Sequence, residues 1–453
     1  MSLSDIRKKT FIMGAGGSGM SPLGHILLDI GLPLFGQDKN AGESFESLKE
    51  RGMTAVSSPE ELEEIRPAAA VFSSAISRTE NLFFRKCEEL GIPLMHRSEL
   101  LHRVFGSMKS VSVAGSHGKT TTTAMTAQIF SECGLEPAVM VGGETAILGK
   151  KGGQFGKGLI GVYESDESDG TFLNHSADVR IVTNVDNDHL DYYKELDNLF
   201  RSFGKHICGD GGGTAVLNLD EEGTLSALKY CSNLKILGFS AEKTDPNSVF
   251  YKINGRRMNF RLKGTEYELE VPYPGDHYLK NALSAVLAAF LCGIEIKRSV
   301  SILKNYRGVK RRLEYLGNAG DVPVYDDYGH HPTEIKSVIS SLSQMKKAGG
   351  RTAVVFQPHR YTRTKELYKE FAQVLQMADL LFLLPIYSAG EKPEEGISTE
   401  LIYQLTDRNR TFLLKEGLEK DTEEIRKRLK EGDVFVSLGA GNVRNWGERL
   451  VSS

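Results

Sequence analysis

Val111-Ser112-Val113-Ala114-Gly115-Ser116-His117-Gly118-Lys119-Thr120-Thr121 decides the reading of this chain. An apolar strand, Val111–Ala114, runs into a glycine loop and then into a helix expected over Thr120–Glu132. Backbone N–H groups in such a loop, with the helix N-terminus behind them, cradle phosphate oxygens. A lysine at the position of Lys119 neutralises β/γ oxygens, and the hydroxyl of Thr120 reaches a Mg²⁺ ion. Gly115, Ser116, His117, Gly118, Lys119, Thr120 and Thr121 are therefore the candidate phosphate-binding residues. The loop is shorter than the full Walker pattern, because Val113 and Ala114 stand where its first glycine would be.

The same strand–loop–helix order recurs upstream. A strand at Lys9–Met13 meets Gly14-Ala15-Gly16-Gly17-Ser18-Gly19 and a helix over Gly19–Ile30. The glycines let backbone approach a pyrophosphate, and Asp38, at the end of the next strand, stands where a ribose-binding acid would. Gly14, Gly16, Gly17, Gly19 and Asp38 alone mark a nucleotide or dinucleotide site, and a nicotinamide dehydrogenase would use them equally well. A third strand, Ala69–Phe72, ends at Ser73-Ser74.

Downstream, a strand at Leu159–Tyr163 ends in Glu164, the first residue of Glu164-Ser165-Asp166-Glu167-Ser168-Asp169-Gly170. Another, Val179–Thr183, leads to Asp188-His189-Leu190-Asp191. Mg²⁺ prefers oxygen ligands, so Glu164 suits it, whereas His189 marks a less hydrated position. The C-terminal third carries Tyr325-Asp326-Asp327-Tyr328-Gly329-His330-His331-Pro332, then Gln357-Pro358-His359-Arg360-Tyr361-Thr362-Arg363, then Tyr387-Ser388-Ala389-Gly390-Glu391, each at a strand end. Loops at the carboxyl ends of a parallel sheet face one crevice. Two arginines three residues apart, Arg360 and Arg363, can grip a carboxylate in a way lysines could not.

Composition sets the frame. With 453 residues, and about 150 per domain, roughly three domains are expected. Hydrophobic residues at 40% and charged residues at 25% exclude a largely disordered chain. Fifty-six basic against 59 acidic side chains, a net charge of −3, argue against nucleic acid or an anionic membrane as main partner. The longest apolar run, Ala282–Ile294, is too short to span a bilayer. No leader is read at the basic start Arg7-Lys8-Lys9, and a cytoplasmic location is expected. The five cysteines are widely spaced, which suggests reduced thiols, mostly buried. Alternating strands and helices predict three α/β domains, residues 1–107, 108–313 and 314–453. Residues Val249–Val271 alternate apolar and polar and read as an antiparallel appendage.

These motifs, in this order and over nearly the whole chain, resemble the Mur ligases of bacterial cell-wall synthesis. The resemblance implies an N-terminal Rossmann-like domain that binds a UDP sugar, so that Gly14–Gly19, Ser73 and Ser74 would meet UDP and not NAD. It implies a central P-loop ATPase-like domain with Lys119 on the phosphates and Thr120, Glu164 and His189 at Mg²⁺, which Mn²⁺ could replace. It implies a C-terminal Rossmann-like domain that closes over both. His277 and Asn281 would bind adenine, Asp327 the ATP ribose, and Arg312 a phosphate. Tyr328, His330, Arg360 and Arg363 would receive the amino acid. The last two motifs are those of members that join L-alanine to UDP-N-acetylmuramate by ATP-driven amide formation, in peptidoglycan precursor synthesis. Relatives that join a preformed peptide in cell-wall recycling differ there and remain the alternative. Lys119, His189, Arg312 and His330 are then the catalytic candidates. The substrates would be ATP, L-alanine and UDP-N-acetylmuramate, with no nucleic-acid or membrane partner, in a monomer or homodimer. The chain departs from the family at Tyr278, where asparagine is usual, at Ser116 for threonine, and at Pro385 for an acidic residue. No carbamylated lysine is expected, since its place falls near Phe203-Gly204.

Overall fold

In the computed structural model, residues 8–39, 42–149, 151–209, 212–232, 235–242 and 248–452 are described. Arg7 lies outside them. Two compact bodies divide the chain, one of residues 1–271 with 279–308, the other of residues 272–278 with 309–453. The first body carries two sheets and the second carries one.

The N-terminal sheet holds β1 (Thr10–Met13), β2 (Leu34–Gln37), β3 (Thr54–Ala55), β4 (Ala69–Phe72) and β5 (Leu94–His96), all parallel, in the order β3-β2-β1-β4-β5. Alternation along β1 sends Ile12 to one face, with Leu23, Ile26 and Leu27 of the helix Met20–Asp29. It sends Phe11 and Met13 to the other, with Phe72 and Phe84. The strand order reverses beside β1, so the glycine loop opens where such sheets bind ligands.

The second sheet has ten strands: β6 (Lys109–Ala114), β7 (Ala138–Thr145), β8 (Lys151–Gln154), β9 (Ile160–Glu164), β10 (Val179–Val182), β11 (Thr214–Asn218), β12 (Ile236–Ser240), β13 (Val249–Asn254), β14 (Arg257–Leu262) and β15 (Thr265–Glu270). Their order is β15-β14-β13-β12-β11-β10-β6-β9-β7-β8. β6 lies between β10 and β9, parallel to both, so the loops that follow these three strands are neighbours. The expected antiparallel appendage is β13–β15. The β7–β8 hairpin was not legible in the sequence. Its strands carry Gly142-Gly143 and Gly152-Gly153 where apolar alternation would be needed for detection. A Cβ at Gly153 would overlap the carbonyl of Pro22, so glycine lets this hairpin lie against the helix Met20–Asp29. Met140 and Tyr163 accordingly join the core of the first sheet.

The third sheet, in the second body, runs β16-β17-β21-β18-β19-β20. Its strands are β16 (Glu314–Ala319), β17 (Val322–Asp327), β18 (Thr352–Phe356), β19 (Leu380–Leu383), β20 (Thr411–Leu413) and β21 (Val434–Leu438). Only β16 is antiparallel to its neighbour.

The cysteine expectation is corrected: Cys208 and Cys231 form a disulfide, while Cys87, Cys133 and Cys292 are free. The helix Leu196–Cys208 ends at Cys208, and the turn after Glu222–Leu228 brings the Cα of Cys231 to 5.4 Å, within the span of a bridge. A pairing across 23 residues through a tertiary contact leaves no mark in spacing.

Two buried histidines predict acid sensitivity in the first body. Burial pushes His175 down to about 4 and His206 to about 3, the latter helped by His175 and Arg180. His175 packs edge-on to Tyr163, and His206 stacks on Phe172. Between about pH 4 and 6.5 the unfolded chain binds protons that the folded one refuses, so stability falls as pH falls through that window. The melting temperature at pH 5 is expected to lie well below that at pH 7. In His206→Phe the gap narrows, and an unchanged gap would assign the acid sensitivity elsewhere.

Candidate active site

The loop after β6 is built from backbone strain that glycine tolerates. Gly115 has φ +133° and Gly118 φ +82°. A Cβ at Gly115 would overlap Thr183 Oγ1, and one at Gly118 would sit 2.9 Å from Asn281 Oδ1. The loop after β10 fastens this cradle: Asn184 Oδ1 accepts from His117 N (2.9 Å), while Thr183 Oγ1 and Asn184 Nδ2 donate to His117 O. His117 Nε2 lies 3.3 Å from Asp186 Oδ2, and Ser116 Oγ accepts from Asp186 N at 2.8 Å. The expected adenine contact Asn281 thus stands against the phosphate loop itself.

Lys119 projects back into the loop from the first turn of the helix Lys119–Glu132. Its ammonium donates to Gly115 O (2.6 Å), Ser116 O (3.3 Å) and Glu167 Oε1 (2.7 Å). Burial alone would lower the Lys119 pKa, but the charges of Glu167, Asp166 and Glu164 outweigh it and hold it above its ordinary value. Thr120 Oγ1 donates to Glu164 Oε1 (3.1 Å), and Gly142 N donates to Glu164 Oε2 (2.8 Å). His189, in a left-handed backbone at φ +59°, places Nε2 3.6 Å from both Glu167 Oε1 and Asp188 Oδ2. Burial opposes its charge, yet Glu167 and Asp188 raise its pKa. Thr120 thus meets Glu164, and His189 meets Glu167 of the same acidic loop. Hydroxyl and carboxylate oxygens are the donor set a hard divalent cation takes, and the buried, unpartnered Oε2 of Glu167 adds a further oxygen beside them.

Glu167 and Arg97 escaped sequence reasoning as site residues. Glu167 was one acid in an acidic run, and only the fold shows its side chain 1% exposed between Lys119 and His189. Arg97 opens a helix after β5, a strand too short to be read. Its guanidinium, 15% exposed, pairs with Asp166 (2.7 Å) and lies 3.6 Å from Asp169. It also crowds Gly19, where a Cβ would come within 2.6 Å of Nη1. The cation thus joins the N-terminal glycine loop to the acidic loop after β9. Ser74 makes a parallel link, donating to Asp169 Oδ2 at 2.6 Å. Asp38 accepts from Gly16 N (2.8 Å), so its carboxylate shapes the glycine loop. Gly14 takes φ +69° there, and Gly17 O accepts the first helical N–H groups, from Met20 and Ser21. Ser73 O accepts from Ile76 N.

In the second body, Arg312 stands between two left-handed residues, Arg311 (φ +61°) and Leu313 (φ +48°). Carboxylates fix this turn: Glu314 Oε2 accepts from Arg311 N (2.8 Å), and Asp327 Oδ2 from Leu313 N (2.7 Å). Asp327 Oδ1 accepts from Gly329 N at 2.8 Å. Burial raises the Asp327 carboxyl to about 6 despite Arg312. Asp327, the residue expected at the ribose, also anchors the arginine turn through Oδ2. The Arg312 guanidinium lies 5.3 Å from the Tyr328 ring centroid and 3.8 Å from Glu334. His277 packs against Tyr278, which stacks on Tyr273 with centroids 5.0 Å apart. The unusual Tyr278 is thus a buried aromatic contact.

The ends of β17, β18 and β19 gather the remaining candidates. His330 and His359 meet edge to face at 5.9 Å, and His359 stacks on Tyr387 at 5.7 Å. Burial pushes both imidazoles down to about 4, with Arg363 contributing to each. Arg360 caps the helix Tyr361–Leu375 at φ +69° and is exposed. Among the described residues no carboxylate lies within 4.0 Å of the guanidinium of Arg360 or Arg363. The helix N-terminus between them is already taken: Glu391 accepts from Tyr361 N (2.7 Å), Thr362 N (3.2 Å) and Thr362 Oγ1 (2.7 Å). Two unpaired guanidiniums beside two neutral imidazoles have the chemistry to receive an anion.

Three sequence models of one family match the chain. "Mur ligase family, catalytic domain" covers residues 10–107, "Mur ligase middle domain" 113–289, and "Mur ligase, glutamate ligase domain" 311–441. The chain belongs to the Mur ligase family. It is 36% identical to the UDP-N-acetylmuramate–L-alanine ligase of Dictyoglomus turgidum, over 98% of this chain and 97% of that one. The ligase of the same name from Aquifex aeolicus is also 36% identical, again over 98% and 97%. The fold is that of the UDP-N-acetylmuramate-alanine ligase of Thermotoga maritima, with a TM-score of 0.80 at 24% identity and 98% of both chains covered. A murein peptide ligase from Psychrobacter arcticus gives a TM-score of 0.72 at 21% identity, over 98% of each chain. No helix among the described residues is long and apolar enough to cross a membrane.

Proposed function

We infer that this enzyme joins L-alanine to UDP-N-acetylmuramate at the expense of ATP, in peptidoglycan precursor synthesis. Family membership carries the ATP-dependent ligase. The observation that carries the amino acid is the unpaired pair Arg360 and Arg363, which suits a small carboxylate.

Residues 1–107 are assigned to the UDP sugar, with Gly14–Gly19 on its pyrophosphate. Residues 108–313 are assigned to ATP and 314–453 to the amino acid. Thr120, Glu164 and His189 would hold Mg²⁺, which supplies charge neutralisation on the phosphates when bound. The carboxylate of the UDP-linked lactyl group attacks the γ-phosphorus in line and ADP leaves, giving an acyl phosphate. Lys119 and Arg312 offset charge on the transferring oxygens. The alanine amine must then lose a proton before it attacks the acyl carbon and expels phosphate. His330, held neutral by burial, suits that base better than His189, which is assigned to Mg²⁺.

Phosphate release with ATP, Mg²⁺ and UDP-N-acetylmuramate, with and without L-alanine, tests this reading. Release that requires all four establishes it. Release with a tripeptide and none with L-alanine would move the enzyme to the peptide-adding branch.

A further inference from the structure

The ammonium of Lys119 has three hydrogens, and all three are used inside the protein. It therefore cannot reach a phosphate without giving up a partner. Two of those partners are carbonyls of the loop that must wrap the phosphate. The third, Glu167, is an anion buried at the same place. A carboxylate and a γ-phosphate compete for one cation there, and the low local polarity sharpens the competition.

We propose that Glu167 gates the phosphate loop: it holds Lys119 while the loop is empty and yields it to the γ-phosphate when ATP binds. The proposal rests on the reading of this loop as the ATP site. The movement needed is small. The Glu167 backbone is pinned, its carbonyl accepting from Tyr193 Oη (2.5 Å) and Gly170 N (3.0 Å). The preceding Asp166 is pinned too, by Arg97 (2.7 Å) and by Ser168 N (3.0 Å). Only the side chain is left to switch. Oε2 has no hydrogen-bond partner, and His189 Nε2, at 3.6 Å from Oε1, is the next donor within reach. A released carboxylate thus turns away from Lys119 by side-chain rotation, without moving the loop. The gate keeps a buried lysine charge compensated in both states, which an empty site lacking Glu167 would not do.

The sign of one measurement separates a gate from a brace. A brace that orders Lys119 would help nucleotide binding, so its loss would weaken it. A gate competes, so its loss strengthens binding. The affinity of Glu167→Gln for AMP-PNP, measured by calorimetry in EDTA to remove divalent cations, is expected to be about tenfold tighter than that of the unaltered enzyme. Equal or weaker binding by a variant that keeps the parent melting temperature would overturn the proposal. Should the unaltered enzyme bind no nucleotide under any condition, the ATP-site reading fails instead. Should Glu167→Gln not fold, a structure of the unaltered enzyme with AMP-PNP decides. Lys119 Nζ is expected on the phosphate and away from Glu167, and a pair still at 2.7 Å would overturn the gate.

Discussion

Replacing Lys119 by alanine is expected to reduce phosphate release by about 10³-fold or more, while binding of UDP-N-acetylmuramate survives. The argument is local. Lys119 is the cation aimed into the Gly115–Thr121 cradle, and the transferring phosphoryl group needs positive charge at the moment its oxygens share it. The glycine loop Gly14–Gly19 belongs to a different sheet and keeps its own hydrogen bonds, from Gly16 N to Asp38 among them. The same substitution leaves Glu167 buried without its cation, a loss of about 3–5 kcal/mol for pairs of this kind. Stability and chemistry must therefore be separated. Lys119→Met combined with Glu167→Gln removes both charges and should recover most of the melting temperature without recovering turnover. Calorimetry with the UDP sugar and a phosphate-release assay read the two arms. Turnover retained in Lys119→Ala would remove Lys119 from the phosphate site.

The sequence was most legible where geometry and chemistry coincide. A β-strand followed by a glycine loop and a helix is a phosphate-binding pattern, and Gly115–Thr121 has that form between β6 and the helix Lys119–Glu132. Glu164 and His189 could be placed because each ends or follows an apolar strand, and strands β9 and β10 flank β6. What stayed hidden depends on tertiary contact. Glu167 and Asp166 differ little as letters, yet one grips Lys119 and the other Arg97. The hairpin β7–β8 is glycine-rich because it packs on backbone, so it lacks the apolar alternation by which strands are recognised. Asp327 was read outward, toward a ligand. In the fold it is buried, with Oδ2 accepting from Leu313 N in the turn that carries Arg312 and Oδ1 accepting from Gly329 N.

The second large effect belongs to the guanidinium pair. Arg363→Lys is expected to raise the KM for L-alanine about a hundredfold while leaving the KM values for ATP and the UDP sugar near their original values. Charge is conserved in that change, so the loss reports geometry: a planar fork meets both carboxylate oxygens, whereas an ammonium offers a single point of contact. The neighbouring helix N-terminus cannot compensate, because Glu391 already occupies it. Arg360 adds the second fork from a strained backbone at φ +69°, steadied by the bond from its N–H to Tyr387 O at 2.8 Å. Arg363→Met carries a further, electrostatic consequence. Arg363 is among the groups that hold His330 and His359 down near 4. Removing its charge should move both imidazoles upward in an NMR titration. Burial remains the larger cause, so both should stay below the ordinary histidine value of about 6.5. If the alanine KM were unaffected by either substitution, the carboxylate would have to be received elsewhere, and the two arginines would be surface charges without a ligand.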